Sequence, residues 1–187
     1  MTGKTHTLGG SAFALGSYLI LKKAGMLEMN LDAPAEILII LPYSIWASTI
    51  PDLDQTKMET AMENPINLVI QKFFDFIGAG HRSFKSHVYP AVFASILAFL
   101  GISGVNLFHI ENNLSMTLYC MVTLGISMGL ISHALLDMCT KSGLHKGRRR
   151  YAFVPNLDVF KTGSIYETKV RIGLYLLNII FFVLLFI

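Results

Sequence analysis

The sequence is short of charge. Of its 187 residues, 14% are charged and 53% are hydrophobic. A soluble domain carries about 25% charged residues, so the deficit points to a bilayer, as does a mean hydropathy of +0.55. Cysteine is scarce as well. Cys120 and Cys139 lie in or at the end of one apolar segment, which argues against a disulfide framework and for buried free thiols. Cys139 stands close to Asp137, but a ligand role for it is the weaker reading. The net charge is only +3, too little to imply direct nucleic-acid binding. A convincing small-residue cleavage site is missing after the first apolar run, and His6 precedes that run, so the N-terminal stretch reads as a retained helix. There is no convincing internal repeat and no low-complexity tract. The length allows one domain, expected to be a single membrane-embedded unit over residues 1–187.

What is present is a series of five apolar segments, roughly residues 8–21, 35–50, 88–107, 114–138 and 170–187. A spanning helix needs about 20 such residues, with a range near 17–25. The last three segments satisfy this. The first two are short, and span only with their flanks or when shielded by protein. The stretch INLVIQKFFDFIG places Ile66, Val69, Ile70, Phe73, Phe74 and Ile77 on one helical side, so a short helix either lies in the interface or packs over its neighbours. The expected fold class is therefore all-α: a polytopic membrane helical bundle of about five apolar helices plus a short interfacial helix.

The loops give an orientation. Lys57, Lys72, Arg82 and Lys85 fall in the second connection, and Lys141, Lys146, Arg148, Arg149, Arg150, Lys161 and Lys169 in the fourth, while the third has no Lys or Arg. Excess Lys and Arg mark the cytoplasmic side. That puts both basic connections and the N-terminus in the cytoplasm and the C-terminus outside, in a multi-pass protein of the inner (plasma) membrane. Lys22 and Lys23 run against this, since they fall in the first, external connection.

The ionisable residues then sort to one face. His6 precedes the first helix, Asp52 and Asp54 follow the second, His81 and His87 precede the third, and His133 and Asp137 close the fourth. With alternating spans, all of them reach the cytoplasmic end from separate segments. His133 and Asp137 stand at i and i+4, on one helical face, which is the helical ligand logic of metalloenzyme motifs. An extended turn after Pro51 would aim Asp52 and Asp54 the same way. Mixed imidazole and carboxylate donors suit zinc best, with manganese or iron as alternatives. Seven candidates exceed one tetrahedral ion, so two divalent metals about 3.5–4 Å apart are expected. Bland readings stand beside this one. Asp52 could cap a short helix, His133 and Asp137 could be a buried hydrogen-bonded pair, and His109 and His145 read as caps or surface groups. Intramembrane ionisable residues are nonetheless functional candidates by default. Arg82 and Lys85 beside the histidines suit a phosphate-bearing substrate. The Arg148–Arg150 triplet is explained as well by positive-inside retention and attraction to anionic headgroups.

The elements Thr5-His6, PDLD at 51–54, HRSFKSH at 81–87 and SHALLDMCTKSG at 132–143 occur in this order. Together they resemble the YdjM-type inner-membrane metal-dependent hydrolases, over nearly the whole chain from His6 to about residue 155. Thr140 and Gly143 after Asp137 also fit that pattern. One departure is visible: counting from His81, the second histidine falls at the seventh position, where the family pattern has it at the sixth. The resemblance implies a membrane protein with a hydrolase-like metal centre, and more distantly it is similar to bacterial zinc-dependent phospholipases C, which are helical. The expected function is hydrolysis of a phosphoester, phospholipid or soluble, at the cytoplasmic membrane face. Metals held by His6, Asp52, Asp54, His81, His87, His133 and Asp137 would acidify a water to a pKa near 7. Arg82 would steady the developing charge, and Asp54, if not used by the metals, would act as general base. The alternative is a membrane adaptor with a structural metal site, recruiting a cytosolic protein through its basic loops. A transporter is disfavoured, because its polar residues belong near mid-membrane.

Overall fold

A computed structural model describes residues 1–27, 31–54, 64–108, 113–146, 148–151, 162–185 and 187. In chain order the elements are α1 (Gly3–Lys23), α2 (Ala33–Ala47), a 3₁₀ helix (Ile50–Asp54), α3 (Pro65–Phe76), α4 (Phe84–Phe108), α5 (Leu114–Met138), β1 (Leu144–Lys146), β2 (Arg149–Tyr151) and α6 (Ile165–Leu184). The helices start where local chemistry tells them to. Asp32 accepts from the Ala35 amide ahead of α2, Asn64 from the Ile66 amide ahead of α3, and Asn113 from the Ser115 and Met116 amides ahead of α5. Each satisfies amide donors that the first turn leaves open.

Each of the five apolar segments overlaps a helix, and the described residues are mostly helical as expected. Among the described residues, three stretches are long and apolar enough to cross a membrane: Ala33–Leu53, Phe84–Phe108 and Leu114–Met138. The second segment, read from sequence as short, qualifies because the chain continues past α2 into the 3₁₀ turn. Helix α1 and helix α6 do not meet the same standard. Helix α1 carries Thr5, His6, Thr7, Ser11 and Ser17, and α6 opens with Glu167, Lys169 and Arg171. The 3₁₀ helix also replaces the extended turn expected at Asp52 and Asp54. Residues three apart eclipse in that geometry, and residues two apart do not share a side.

Helix α5 is the centre, packed against α4, α2 and α1, with α6 lying on α1. With lipid as the outer solvent, close packing rather than hydrophobic burial draws such helices together, and small residues permit it. Gly125 and Gly129, one turn apart on α5, face α2. A Cβ on Gly125 would stand 2.6 Å from Ile40 O, and one on Gly129 would stand 2.3 Å from Ser44 O. Gly10 of α1 meets the same Ser44 carbonyl, at 2.8 Å from its would-be Cβ. The outer faces are apolar: on α4, Val92, Phe93, Ile96 and Phe99 are all at least half exposed.

Helix α3 divides its apolar residues between two surroundings. Phe74 is buried, and Asn67 accepts a hydrogen bond from Trp46 Nε1 at 3.0 Å, while Ile66, Val69 and Phe73 stay exposed. One feature of the region read as a loop is ordered: β1 and β2 pair antiparallel, with Leu144 opposite Tyr151. The Leu144 side chain is fully buried and anchors the hairpin. The hairpin also joins α4's entry, because the His145 amide donates to Arg82 O at 2.7 Å.

Candidate metal centre

Separate elements bring their polar ends to one end of the bundle. His6 sits in the first turn of α1, Asp52 in the 3₁₀ helix, His87 in the first turn of α4, and His133 with Asp137 in the last turns of α5. His6, Asp52, His133 and Asp137 are buried and offer ligand atoms that all lie within 4.8 Å of one another. Asp137 is the hub. His6 Nε2 lies 3.3 Å from its Oδ1, His87 Nε2 lies 3.5 Å from its Oδ2, and His133 Nε2 lies 3.7 Å from the same oxygen. The Met1 nitrogen donates to Oδ1 at 2.9 Å. His133 Nε2 is also 3.7 Å from Asp52 Oδ1. The His6 and His133 rings stack with centroids 3.7 Å apart, and His87 meets His133 edge-on at 5.0 Å.

The outer contacts fix which nitrogen faces inward. His133 Nδ1 lies 2.6 Å from Ser48 O. A carbonyl only accepts, so Nδ1 carries a proton, and in the neutral ring Nε2 then presents its lone pair to the aspartates. Small residues make this bond possible. Gly129 lets the Ser44–Ser48 backbone of α2 press against α5, and Ser44 Oγ in turn donates to Gly10 O at 2.9 Å. His87 also has an outer contact: its Nδ1 lies 2.9 Å from Ser86 Oγ, a hydroxyl that donates or accepts according to the ring's tautomer and that also lies 3.2 Å from Ser83 O. Among the described residues, His133 Nε2 and both ring nitrogens of His6 are buried without a hydrogen-bond partner. Buried nitrogens in that state are costly. An ion at the centre would satisfy them, and the donor set of imidazoles and carboxylates fits one.

Arg82 forms one wall. Its Nε lies 3.2 Å from Asp137 Oδ2, its Nη2 lies 3.4 Å from Oδ1, and its Nη1 donates to Thr140 Oγ1 at 3.0 Å. The Thr140 hydroxyl donates to Asp137 O at 2.7 Å, which locks its lone pair toward the guanidinium. Arg82 has φ of +58°, a left-handed backbone that a non-glycine residue adopts at some cost and that clusters at functional sites.

Of the sequence candidates, His6, Asp52, His87, His133, Asp137 and Arg82 converge. The later position of His87 in its motif does not exclude it, because α4 begins at Phe84 and turns residue 87 inward. His81 does not join them: it is exposed, on the turn before that helix. Lys85 is exposed too and donates to Ile77 O at 2.7 Å. Asp54 closes the 3₁₀ helix, and its side chain lies outside the described residues, as does all of His109. Both cysteines are free, and Cys139 packs against an apolar cluster that includes Ala12, Leu136 and Leu174. Ser48 and Glu167 escaped sequence reasoning. The four-residue spacing of Gly125 and Gly129 was the available signal for the first, since it marks a face where another backbone approaches. Nothing comparable marked Glu167. Its carboxylate accepts from the Thr2 and Thr5 hydroxyls, each at 2.8 Å, and from the Gly163 amide at 2.6 Å, tying α6 to the turn that carries His6. Burial alone would raise its pKa, but these donors and the Thr2 amide outweigh it and hold the carboxyl down at about 2.

No curated protein and no solved structure matches this chain. The family model described as "YdjM inner membrane protein" matches residues 1–186. The match covers the whole bundle and every residue of the His/Asp group, and the chain belongs to the YdjM inner membrane protein family.

Proposed function

We propose that the protein is a metal-dependent phosphoester hydrolase working at the cytoplasmic face of the inner membrane. The observation that carries this reading is the orientation of His133. Its Nδ1 proton is committed to Ser48 O, and its Nε2 points unpartnered at two buried aspartates. A helix-end pair serving only stability would use both nitrogens. His6, Asp52, His133 and Asp137 would hold the ion, with His87 beside them, and zinc suits this set best. A divalent ion supplies Lewis acidity and an acidified water there.

The chain's own groups do the rest. Arg82 presents a guanidinium beside the centre, fixed by Asp137 and Thr140, where a planar fork matches phosphoryl oxygens. Burial of the three imidazoles excludes bulk water and strengthens each charge interaction. Asp54 remains the candidate general base by its place two residues beyond Asp52, and a second ion remains the way to employ it. The basic connections that precede α4 and follow α5 support the cytoplasmic placement.

The test is the metal content of detergent-purified protein, for wild type, Asp52→Ala and His133→Ala, followed by phosphoesterase assays on lipid and soluble substrates. Bound zinc in the wild type, lost with activity in both variants, is the expected result. Bound metal with no turnover of any phosphoester would convert the site to a structural one and favour recruitment of a cytosolic protein. Folded protein that takes up no metal on reconstitution would overturn the reading.

A further inference from the structure

A groove of about 480 Å³ runs down the outer side of the α4–α5 pair, outside the His/Asp centre. Val88, Val92 and Phe99 line it from α4, and Ala134, Leu135 and Met138 from α5. Its size suits a ligand pocket, its lining is apolar, and both helices are long and apolar enough to cross a membrane. Its upper end adjoins the centre along the chain: Val88 follows His87, Ala134 follows His133, and Met138 follows Asp137.

What stands above the groove distinguishes it from an ordinary lipid-facing surface. Phe84 lies one helical turn before Val88, on the same face. The Tyr151 ring packs on Phe84 with centroids 4.9 Å apart. That contact sets the end of β2, the strand that also carries Arg149 and Arg150, beside the first turn of α4 above the groove. Lys146, Arg148, Arg149 and Arg150 are exposed, and residues 141–151 contain no acidic residue. The hairpin is not a loose basic tail. Leu144 is buried beneath it, and the His145 amide is bonded to Arg82 O. A second groove of about 450 Å³, on the other side of α4, is lined by Phe73 and Phe74 of α3; neither groove has a cation among its lining residues, and the hairpin meets α4 just above the first.

We propose that the α4–α5 groove and the basic hairpin form one binding site for an anionic phospholipid, with an acyl chain along Val88, Val92 and Phe99 and the phosphate-bearing head on Arg149 and Arg150. As a substrate site it rests on the hydrolase reading above; as a lipid site it stands without it. The arrangement puts a headgroup phosphate at the level of the centre while the tail stays in an apolar channel. Each arginine near an anionic surface contributes modestly on its own, and the pair gives selectivity for lipid charge rather than for chain.

The experiment uses the full chain in lipid vesicles doped with phosphatidylglycerol or phosphatidylcholine, each carrying a photoreactive group at the end of one acyl chain. Crosslinks are mapped by mass spectrometry in wild type, His133→Ala, Val92→Trp and the Arg149→Glu/Arg150→Glu double variant. The exposed face of α6, with Ile172, Leu176 and Ile179, reports ordinary surrounding lipid. Phosphatidylglycerol is expected to label the groove peptides roughly tenfold more than phosphatidylcholine, since two favourable headgroup contacts suffice for that ratio. The preference should persist in His133→Ala and in chelator-treated wild type. Val92→Trp should abolish groove labelling, and the double arginine variant should lower it to the phosphatidylcholine level. Equal labelling by the two lipids, or groove labelling no greater than that of α6, would overturn the proposal even if the protein hydrolyses phosphoesters. Preserved preference in a protein without turnover would overturn only the hydrolase reading.

Discussion

Two of the buried carboxylates, Asp137 and Glu36, are surrounded in two different ways. Asp137, at one end, faces imidazole nitrogens, and Glu36 lies in the first turn of α2, toward the other end. Both are inaccessible to solvent. Glu36 is closed off: the Tyr18 hydroxyl donates to it, and Lys22 Nζ stands 3.0 and 3.3 Å from its two oxygens. Everything around it is a donor, and the set ties α1 to α2. Around Asp137 the arrangement is different. Arg82 and the Met1 nitrogen act as donors, but a neutral His133 presents an acceptor nitrogen, and so does His6 when its Nε2 lacks the proton. Acceptors gathered about a carboxylate repel it unless a cation stands between them. The lesson is that burial of a charge does not by itself mark a site. What marks it is the number of lone pairs left facing one another.

The sharpest break of this comparison is Asp137→Ala. It removes the hub and leaves the Arg82 guanidinium buried without its carboxylate, at a cost of roughly 3–5 kcal/mol. Bound metal should fall to zero, as read by elemental analysis beside a denaturation curve. Arg82→Lys comes next. It keeps a cation but loses the fork, so metal should stay while phosphoesterase activity drops by roughly 10²–10³. Loss of metal in that variant would assign Arg82 to holding the site together instead.

Gly129→Ala tests the route from packing to chemistry. Its Cβ would stand 2.3 Å from Ser44 O, so α2 must shift, at roughly 1–3 kcal/mol. Because Ser48 O then withdraws from His133 Nδ1, metal affinity should fall with stability. An unchanged affinity in titrations would show that Ser48 does not orient the ring. The smallest effect is expected at the other pole. Glu36→Gln keeps the shape, weakens the Tyr18 and Lys22 bonds, and should cost roughly 1–3 kcal/mol with metal content unchanged. Lost metal there would erase the distinction between the two carboxylates.

Much of the site was legible in the chain because helix periodicity and membrane topology are local rules. Spacing of i and i+4 puts His133 and Asp137 on one face, and helices that alternate in direction bring His6, Asp52 and His87 to the same end. The 3₁₀ turn at Asp52 was not legible, since a short Pro-containing segment reads equally as extended or tightly wound. Nor was the hairpin. Strands of three residues carry too little periodicity to see, and their order comes from Leu144 entering the core and His145 reaching Arg82. His81 and His87 looked alike in sequence. The start of α4 at Phe84 separated them, leaving one on an exposed turn and burying the other.

The sequence by itself determined the helical membrane class, the family, and the end of the bundle at which the imidazoles and carboxylates gather. It could do so because composition, apolar run length and residue order are properties of the chain alone. Tertiary structure decided which of those residues meet, which nitrogen of His133 faces inward, and that Arg82 stands against Asp137. These depend on contacts between segments far apart in the chain, such as Ser48 with His133 and Thr2 with Glu167. The first of these is set by how closely glycine-lined helices can approach, a distance that no single segment encodes.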